Sequence, residues 1–160
     1  MIFLFIPSLP PSSNHAYFNI RGGRALTKEG QKYKNETIAW LTQNFPHELK
    51  ELVPDTPYFV YARFFFDSLE TEKWLQEKRG TKQRSKPLKR KILRYKRLDV
   101  SNRLKLFEDC LKDAGGIDDS QFFSELIEKR VGRPDQPEYT EVFIWNMEKE
   151  ENILERLSRL

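Results

Sequence analysis

Between Asp99 and Gln121 the chain places acids at both ends of one short segment, RLDVSNRLKLFEDCLKDAGGIDDSQF over residues 97–122. Asp99 comes first, Asn102, Lys105 and Asp109 follow at helical spacing, and Asp118 and Asp119 stand side by side after two glycines. Adjacent carboxylates repel unless water or a cation separates their charges. Hard Mg²⁺ takes oxygen ligands, commonly one or two carboxylates completed by water and a substrate phosphate. A lysine on the same helix side can meet that phosphate as a point charge. These residue types therefore allow metal-assisted chemistry on a phosphoester. The competing reading is a solvated surface helix, with Asp99 favoured at its start by the macrodipole and the other charges in ordinary i, i+4 pairs. That reading covers Asp99, Lys105 and Asp109 and accounts poorly for Asp118 and Asp119.

The helix carrying these groups has a clear inner side. At about 100° per residue, Val100, Leu104, Phe107, Leu111 and Ala114 share one arc, the expected core stripe. Asn102, Lys105 and Asp109 share another, with Asp99 at the first turn. A straight helix over 100–113 is about 20 Å long, which would leave Asp99 and Asp119 at opposite ends. Gly115 and Gly116 permit a reversal, and residues 114–119, extended at roughly 3.3 Å each, return nearly that distance. The spacing predicts that the segment doubles back and brings Asp119 beside Asp99. The alternative is a composite site with one carboxylate from each subunit of a dimer.

The 160 residues suffice for one domain with a core, and 38% hydrophobic and 13% aromatic content agree with a folded chain. The net charge of +4 conceals an asymmetry: residues 78–97, KRGTKQRSKPLKRKILRYKR, hold 11 Lys or Arg and no acid, leaving −7 for the rest. A concentrated cationic stripe on an otherwise acidic chain points to a local polyanion contact, for which a solvated loop is the plain alternative. The lone Cys110 excludes an intrachain disulfide and a Cys-rich zinc site. The start, MIFLFIPSLPP, has no positive n-region, and nothing approaches 18 apolar residues in a row, so a cytoplasmic address and no membrane partner are expected.

Residues 2–6 read as a buried strand ended by Pro7, and 8–24 as an irregular loop rich in Pro, Ser, Asn and Gly. Thr27 can cap a helix over 28–44 that buries Tyr33, Ile38 and Leu41 and stops at Pro46. PYFVYARFFF (57–66) reads as a second strand. A basic insert over about 70–97 follows, whose part 88–97 could become helical on a phosphate backbone. FFSELIEKRV (122–131) and YTEVFIWNM (139–147) read as a two-strand hairpin with a long connection, and about 148–160 as a terminal helix with Ile153, Leu154 and Leu157 inward. The order β-α-β-(basic insert)-α-β-β-α predicts one small α/β or α+β domain over 1–160, with helices packed on a mixed sheet.

D-V-S-N-R-L-K, then D-D-S-Q, resembles the D-x-D-N-x-x-K helix and D-D-x-Q turn of the RusA family of Holliday junction resolvases. LPPSSN, a Gly-containing loop and LTKEGQKYK are similar to that family's Pro-Pro-Ser-x-Asn segment and the helix after it. The three segments stand in the right order, while the basic insert and terminal helix look like additions. The resemblance implies a homodimeric, Mg²⁺-dependent endodeoxyribonuclease (Mn²⁺ being a possible substitute), with no small-molecule cofactor, cutting four-way or other branched DNA by paired nicks. It assigns Asp99, Asp119 and Lys105 as catalytic, Asp99, Asp118 and Asp119 to the metal, and Asn102 a supporting place. Ser101 departs from the pattern, with a hydroxyl where the family has its second helix carboxylate, and that weakens the metal site unless Asp118, Asp109 or the scissile phosphate supplies an oxygen. Two versions stand: a working site on Asp99 and Asp119, or a protein that binds branched nucleic acid and cuts poorly.

Junction binding without sequence readout needs many phosphate contacts. Lys89, Arg90, Lys91, Arg94, Lys96 and Arg97 lead into Asp99 and are the expected contacts, joined by Asn14 and Arg24 of the N-terminal loop. Tyr95 could stack on an unpaired base. The other classes left open are a non-catalytic nucleic-acid binder with solvated acids, an adaptor docking its basic run on an acidic protein, and a ribonuclease using the same chemistry.

Overall fold

Nine consecutive residues, Tyr58–Phe66, are buried along their whole length, and this strand is central to the architecture. Its alternate side chains serve two layers. Tyr58, Val60, Ala62, Phe64 and Phe66 join the main core under the helices, whereas Phe59 and Tyr61 join an aromatic layer with Phe143 and Trp145 on the opposite face. A strand covered on both faces has no polar alternation, which is why its sequence is a continuous apolar run. The structure, a computed structural model, describes residues 1–72, 74–75, 94–96, 100–150 and 152–158.

In chain order the elements are β1 (Ile2–Ile6), α1 (Ser13–Ala16), β2 (Tyr17–Ile20), β3 (Gly23–Leu26), α2 (Lys28–Asn44), α3 (Pro46–Lys50), β4 (Tyr58–Phe66), α4 (Ser101–Gly115), a 3-10 turn (Asp119–Gln121), β5 (Phe122–Val131), β6 (Tyr139–Asn146) and α5 (Ile153–Leu157). The main sheet runs β1-β6-β4-β5. β4 pairs parallel with β5 and antiparallel with β6, and β6 pairs antiparallel with β1. The result is the mixed-sheet α+β domain expected from the element order. One detail differs: β5 and β6 are not a hairpin. β4 lies between them, because the chain crosses from β4 to a parallel β5 through α4 and then returns on the far side of β4.

Thr27 caps α2 by accepting from the Gly30 backbone N–H at 3.0 Å, and Tyr33 and Leu41 are buried with Ile38 partly so. Pro46 ends α2 and also opens α3, where its missing N–H costs nothing. The stretch 8–24 is more regular than its composition suggested. It contains α1 and the β2–β3 hairpin, turned at Gly22 with φ +93°. Gly30 is required at the start of α2 because a Cβ there would collide with the Ala16 backbone carbonyl. The terminal helix is a single short turn pair, with Ile153 and Leu157 packed on the aromatic layer.

α4 is gripped from two sides. Leu104, Phe107 and Leu111 enter the main core with Val100 and Ala114 at its margin, as the helical arc predicted. Leu106 and Cys110 meet Ala16 and Tyr33 from α1 and α2. Lys105, Lys112 and Asp113 are among the polar residues of the helix that face outward.

Candidate active site

The turn after α4 is built residue by residue. Gly116 adopts φ +70° and returns its N–H to the Lys112 carbonyl, ending the helix in a left-handed cap. Asp118 then caps the 3-10 turn by accepting from the Ser120 N–H at 3.1 Å, and the Gln121 side chain accepts from the Asp118 N–H at 3.0 Å. The Gln121 amide also donates to the carbonyls of Val53 and Thr56, at 3.1 and 3.2 Å. Lys112 reaches back to the Asp118 carboxylate at 2.7 Å. These contacts double the chain back along α4. They also sort the D-D-S-Q motif: Asp118 and Gln121 hold the turn, and Asp119 is the exposed carboxylate it presents. Hydrogen bonds from Lys112 first, then Ser120, hold Asp118 well below the usual carboxylate range.

Asp119 stands close enough to α4 for its charge to reach the helix. Its charge is felt by Glu108, whose carboxyl is pushed up to about 8 by burial first, then by a hydrogen bond and charge from Glu125, then by Asp119, with Lys105 opposing. Glu108 Oε1 is buried and makes no hydrogen bond. Neither glutamate was legible as a site residue in the sequence. The signal for Glu108 was its register: Ser101, Lys105, Glu108 and Lys112 recur at i, i+4, i+7 and i+11, a single stripe. Glu125 arrives from β5, where it sits on the helix side in register with Val60.

Of the expected site residues, Ser101 and Asn102 form the first turn of α4, and Lys105 is exposed one turn further on. Asp99 lies outside the described residues, as do Lys89, Arg90, Lys91 and Arg97. Asp109 is turned away from the stripe and accepts a hydrogen bond from the Tyr17 hydroxyl at 2.7 Å. Arg94 pairs with Glu70 at 2.7 Å and Lys96 with Asp67 at 3.0 Å, so both carry neighbouring acids. Tyr95, between them, is 58% exposed. Asn14 lies in α1, and Arg24 is exposed on β3 opposite Asn19. The LPPSSN loop is tied down by Arg103, which donates to the Pro10 carbonyl, and by the Thr140 hydroxyl, which donates to the Ser8 carbonyl.

Among the described residues no three Asp, Glu, His or Cys side chains are placed to cage a metal ion. Glu108 is hydrogen-bonded to Glu125 and lies near enough to Asp119 to feel its charge; all three are carboxylates, and one Glu108 oxygen is buried without a partner. That chemistry fits Mg²⁺, which takes few protein oxygens and keeps room for water and phosphate.

The described residues thus form a small α+β domain in which the α4 stripe of Lys105, Glu108 and Lys112 stands beside the turn that presents Asp119. Residues 7–143 match the model of the family described as endodeoxyribonuclease RusA, and the chain belongs to that family. The family is one of DNA endonucleases acting on branched junctions, so membership makes this chain an endonuclease by class. No curated protein matches it. No described helix is long and apolar enough to cross a membrane.

Proposed function

We propose that this protein is a Mg²⁺-dependent endodeoxyribonuclease that resolves four-way DNA junctions by paired nicks, working as a homodimer. The observation that carries the reading is the doubled-back D-D-S-Q turn, which sets the Asp119 charge against the Lys105 and Glu108 stripe of α4. Asp119 and Asp99 would hold the ion, with Asp118 kept nearby by its cap. An ion held there would supply an acidified water and positive charge against the scissile phosphate.

The chain's own residues do the rest. Lys105 binds the phosphate and stabilises the charge that develops on it. Asn102, in the first turn, orients a phosphate oxygen. Glu108 keeps its proton while no cation is near, which spares the half-buried carboxyl a second negative charge beside Glu125. The basic insert, with Lys89, Arg90, Lys91, Arg94, Lys96 and Arg97, delivers phosphate contacts beside Asp99.

The deciding experiment compares cleavage of a four-way junction with that of linear duplex, with and without Mg²⁺. Junction-selective nicking that needs the cation supports the reading, and Mg²⁺-independent or absent cleavage removes it. The second reading, binding with little cutting, is favoured by Ser101 alone. If it holds, the wild type binds junctions without cutting them in Mg²⁺ or Mn²⁺ and Ser101→Asp restores cleavage; calorimetric titration of Mn²⁺ reads the metal site separately from activity.

A further inference from the structure

The β2–β3 hairpin turns its apolar side outward. Directly opposed residues of an antiparallel pair share a face, so the register Tyr17–Leu26, Phe18–Ala25, Asn19–Arg24 and Ile20–Gly23 sorts the hairpin into two sides. Tyr17 and Leu26 pack on the cluster of Ala16, Tyr33, Leu106 and Cys110, which makes theirs the inner side. Phe18 and Ile20 lie on the outer one, each 50% exposed. Their cross-strand partners there are the small Ala25 and Gly23, which leave both side chains standing clear of the strand pair.

The hairpin is tied down at its base. The Thr27 N–H donates to the Ala16 carbonyl at 2.8 Å, and the Tyr17 hydroxyl donates to the Asp109 carboxylate at 2.7 Å. Asp109 lies one helical turn beyond Lys105 on α4, which sets the hairpin beside the candidate active site. The far end is basic: Arg21 and Arg24 are exposed, Lys28 follows, and residues 1–28 contain no acid. That charge selects a polyanion as the partner of the apolar pair. Proteins that distort DNA combine the same two elements, apolar side chains that enter between base steps and cations that hold the backbone beside them.

We propose that the β2–β3 hairpin is a wedge that seats Phe18 and Ile20 against unstacked bases at the branch point of a DNA junction, with Arg21 and Arg24 on the flanking phosphates. This rests on the nuclease reading above and deepens it by naming what selects branched DNA. In a linear duplex the bases stack on one another, and entering between them costs the stacking energy. At a branch point base faces are already open, and the same contact is made without most of that cost.

The test compares binding of a four-way junction and a linear duplex, in EDTA so that cutting plays no part, by wild type and by the double variant Phe18→Thr, Ile20→Thr. Threonine keeps the strand preference of both positions and removes the large apolar surface; circular dichroism and thermal unfolding confirm that the fold is intact. The variant should lose at least about tenfold in junction affinity, the scale of one stacked base. Duplex affinity and the salt dependence of binding should stay unchanged, because no phosphate contact is lost. Phe18→Trp should keep or tighten the junction preference, whereas Arg21→Ala should weaken both substrates alike and flatten the salt dependence by about one unit. A 2-aminopurine at the branch point should change its fluorescence on binding wild type and not on binding the threonine variant. Equal loss on both DNAs, or loss on neither, overturns the wedge. So does altered sedimentation of the free threonine variant with its DNA binding intact, which would assign the face to a second copy of the chain. Cleavage in Mg²⁺ separates the two readings: a threonine variant that binds and cuts junctions as wild type does sinks the wedge alone, whereas wedge-dependent junction binding without cutting sinks the nuclease reading alone.

Discussion

The Lys112 ammonium donates to the Asp118 carboxylate at 2.7 Å, six residues on, across a helix cap whose Gly116 has φ +70°. That contact is possible only because the chain reverses within three residues of the helix end. The left-handed conformation costs a side-chain-bearing residue about 1–2 kcal/mol. Gly116→Ala should therefore lower the unfolding free energy by that amount in urea titrations. No atom lies within 4 Å of where its Cβ would sit, so the loss measures backbone strain and not a clash. An unchanged midpoint would mean that the turn adopts a different conformation.

A second consequence concerns pH. The Glu108 carboxyl is raised from 4.5 to about 8 by burial and then by Glu125. Below the unfolded value both states hold the proton, and the associated stability is fully present. Between the two values the unfolded chain releases the proton while the folded chain keeps it, so stability falls with each unit of pH, until it is lost above the folded value. In cation-free buffer Glu108→Gln removes that fall. Its advantage over wild type should grow from pH 5 to pH 8 by roughly 1–3 kcal/mol, less than the ideal linkage because solvent screens a half-buried group. Equal slopes for the two proteins would show that Glu108 titrates normally.

The aromatic face of the sheet contains a buried cation. Arg63 donates through Nε to the Tyr61 hydroxyl at 2.8 Å, lies 3.6 Å from Glu141, and stacks over the Tyr61 and Phe143 rings. Removing it strands Glu141, whose side chain is mostly covered, without its partner. Arg63→Ala should cost about 3–5 kcal/mol, and Arg63→Met less, because the longer side chain keeps the packing under the rings. Thermal unfolding of the two variants side by side reads the difference.

How much of this was readable beforehand follows from which contacts are local. The core stripe of α4, the Thr27 cap and the apolar run of β4 are all set by neighbours within a few residues, and they stand as the sequence implied. The continuous apolar run also carried a message about topology, since only a strand covered on both faces reads that way and such a strand is central. Taking β5 and β6 as a hairpin overlooked it. Glu108 was hidden for a different reason. In the sequence it is one more charged residue on a helix, and only the approach of Glu125 from β5 and of the turn at Asp119 gives it a special environment. The hairpin in 17–26 was masked by composition, its turn resting on the positive φ of Gly22.

The sharpest test of the site is Asp119 itself. The turn is held by Asp118, Gln121 and Lys112, none of which needs the Asp119 carboxylate to make its contacts. Asp119→Asn should consequently keep the fold and the affinity for a four-way junction, which rests on many phosphate contacts by basic side chains. On the proposed mechanism Asp119 is a charged ligand next to the reacting phosphate, and its loss should slow cleavage by at least about 100-fold. Gln121→Ala makes the control. It removes two hydrogen bonds to buried carbonyls and loosens the turn, so it should lower stability by about 1–3 kcal/mol, with cleavage falling only as the turn loosens. Single-turnover cleavage and filter binding on the same preparations distinguish the cases. If Asp119→Asn cut junctions at the wild-type rate, the carboxylate that the doubled-back turn presents would have no part in the chemistry.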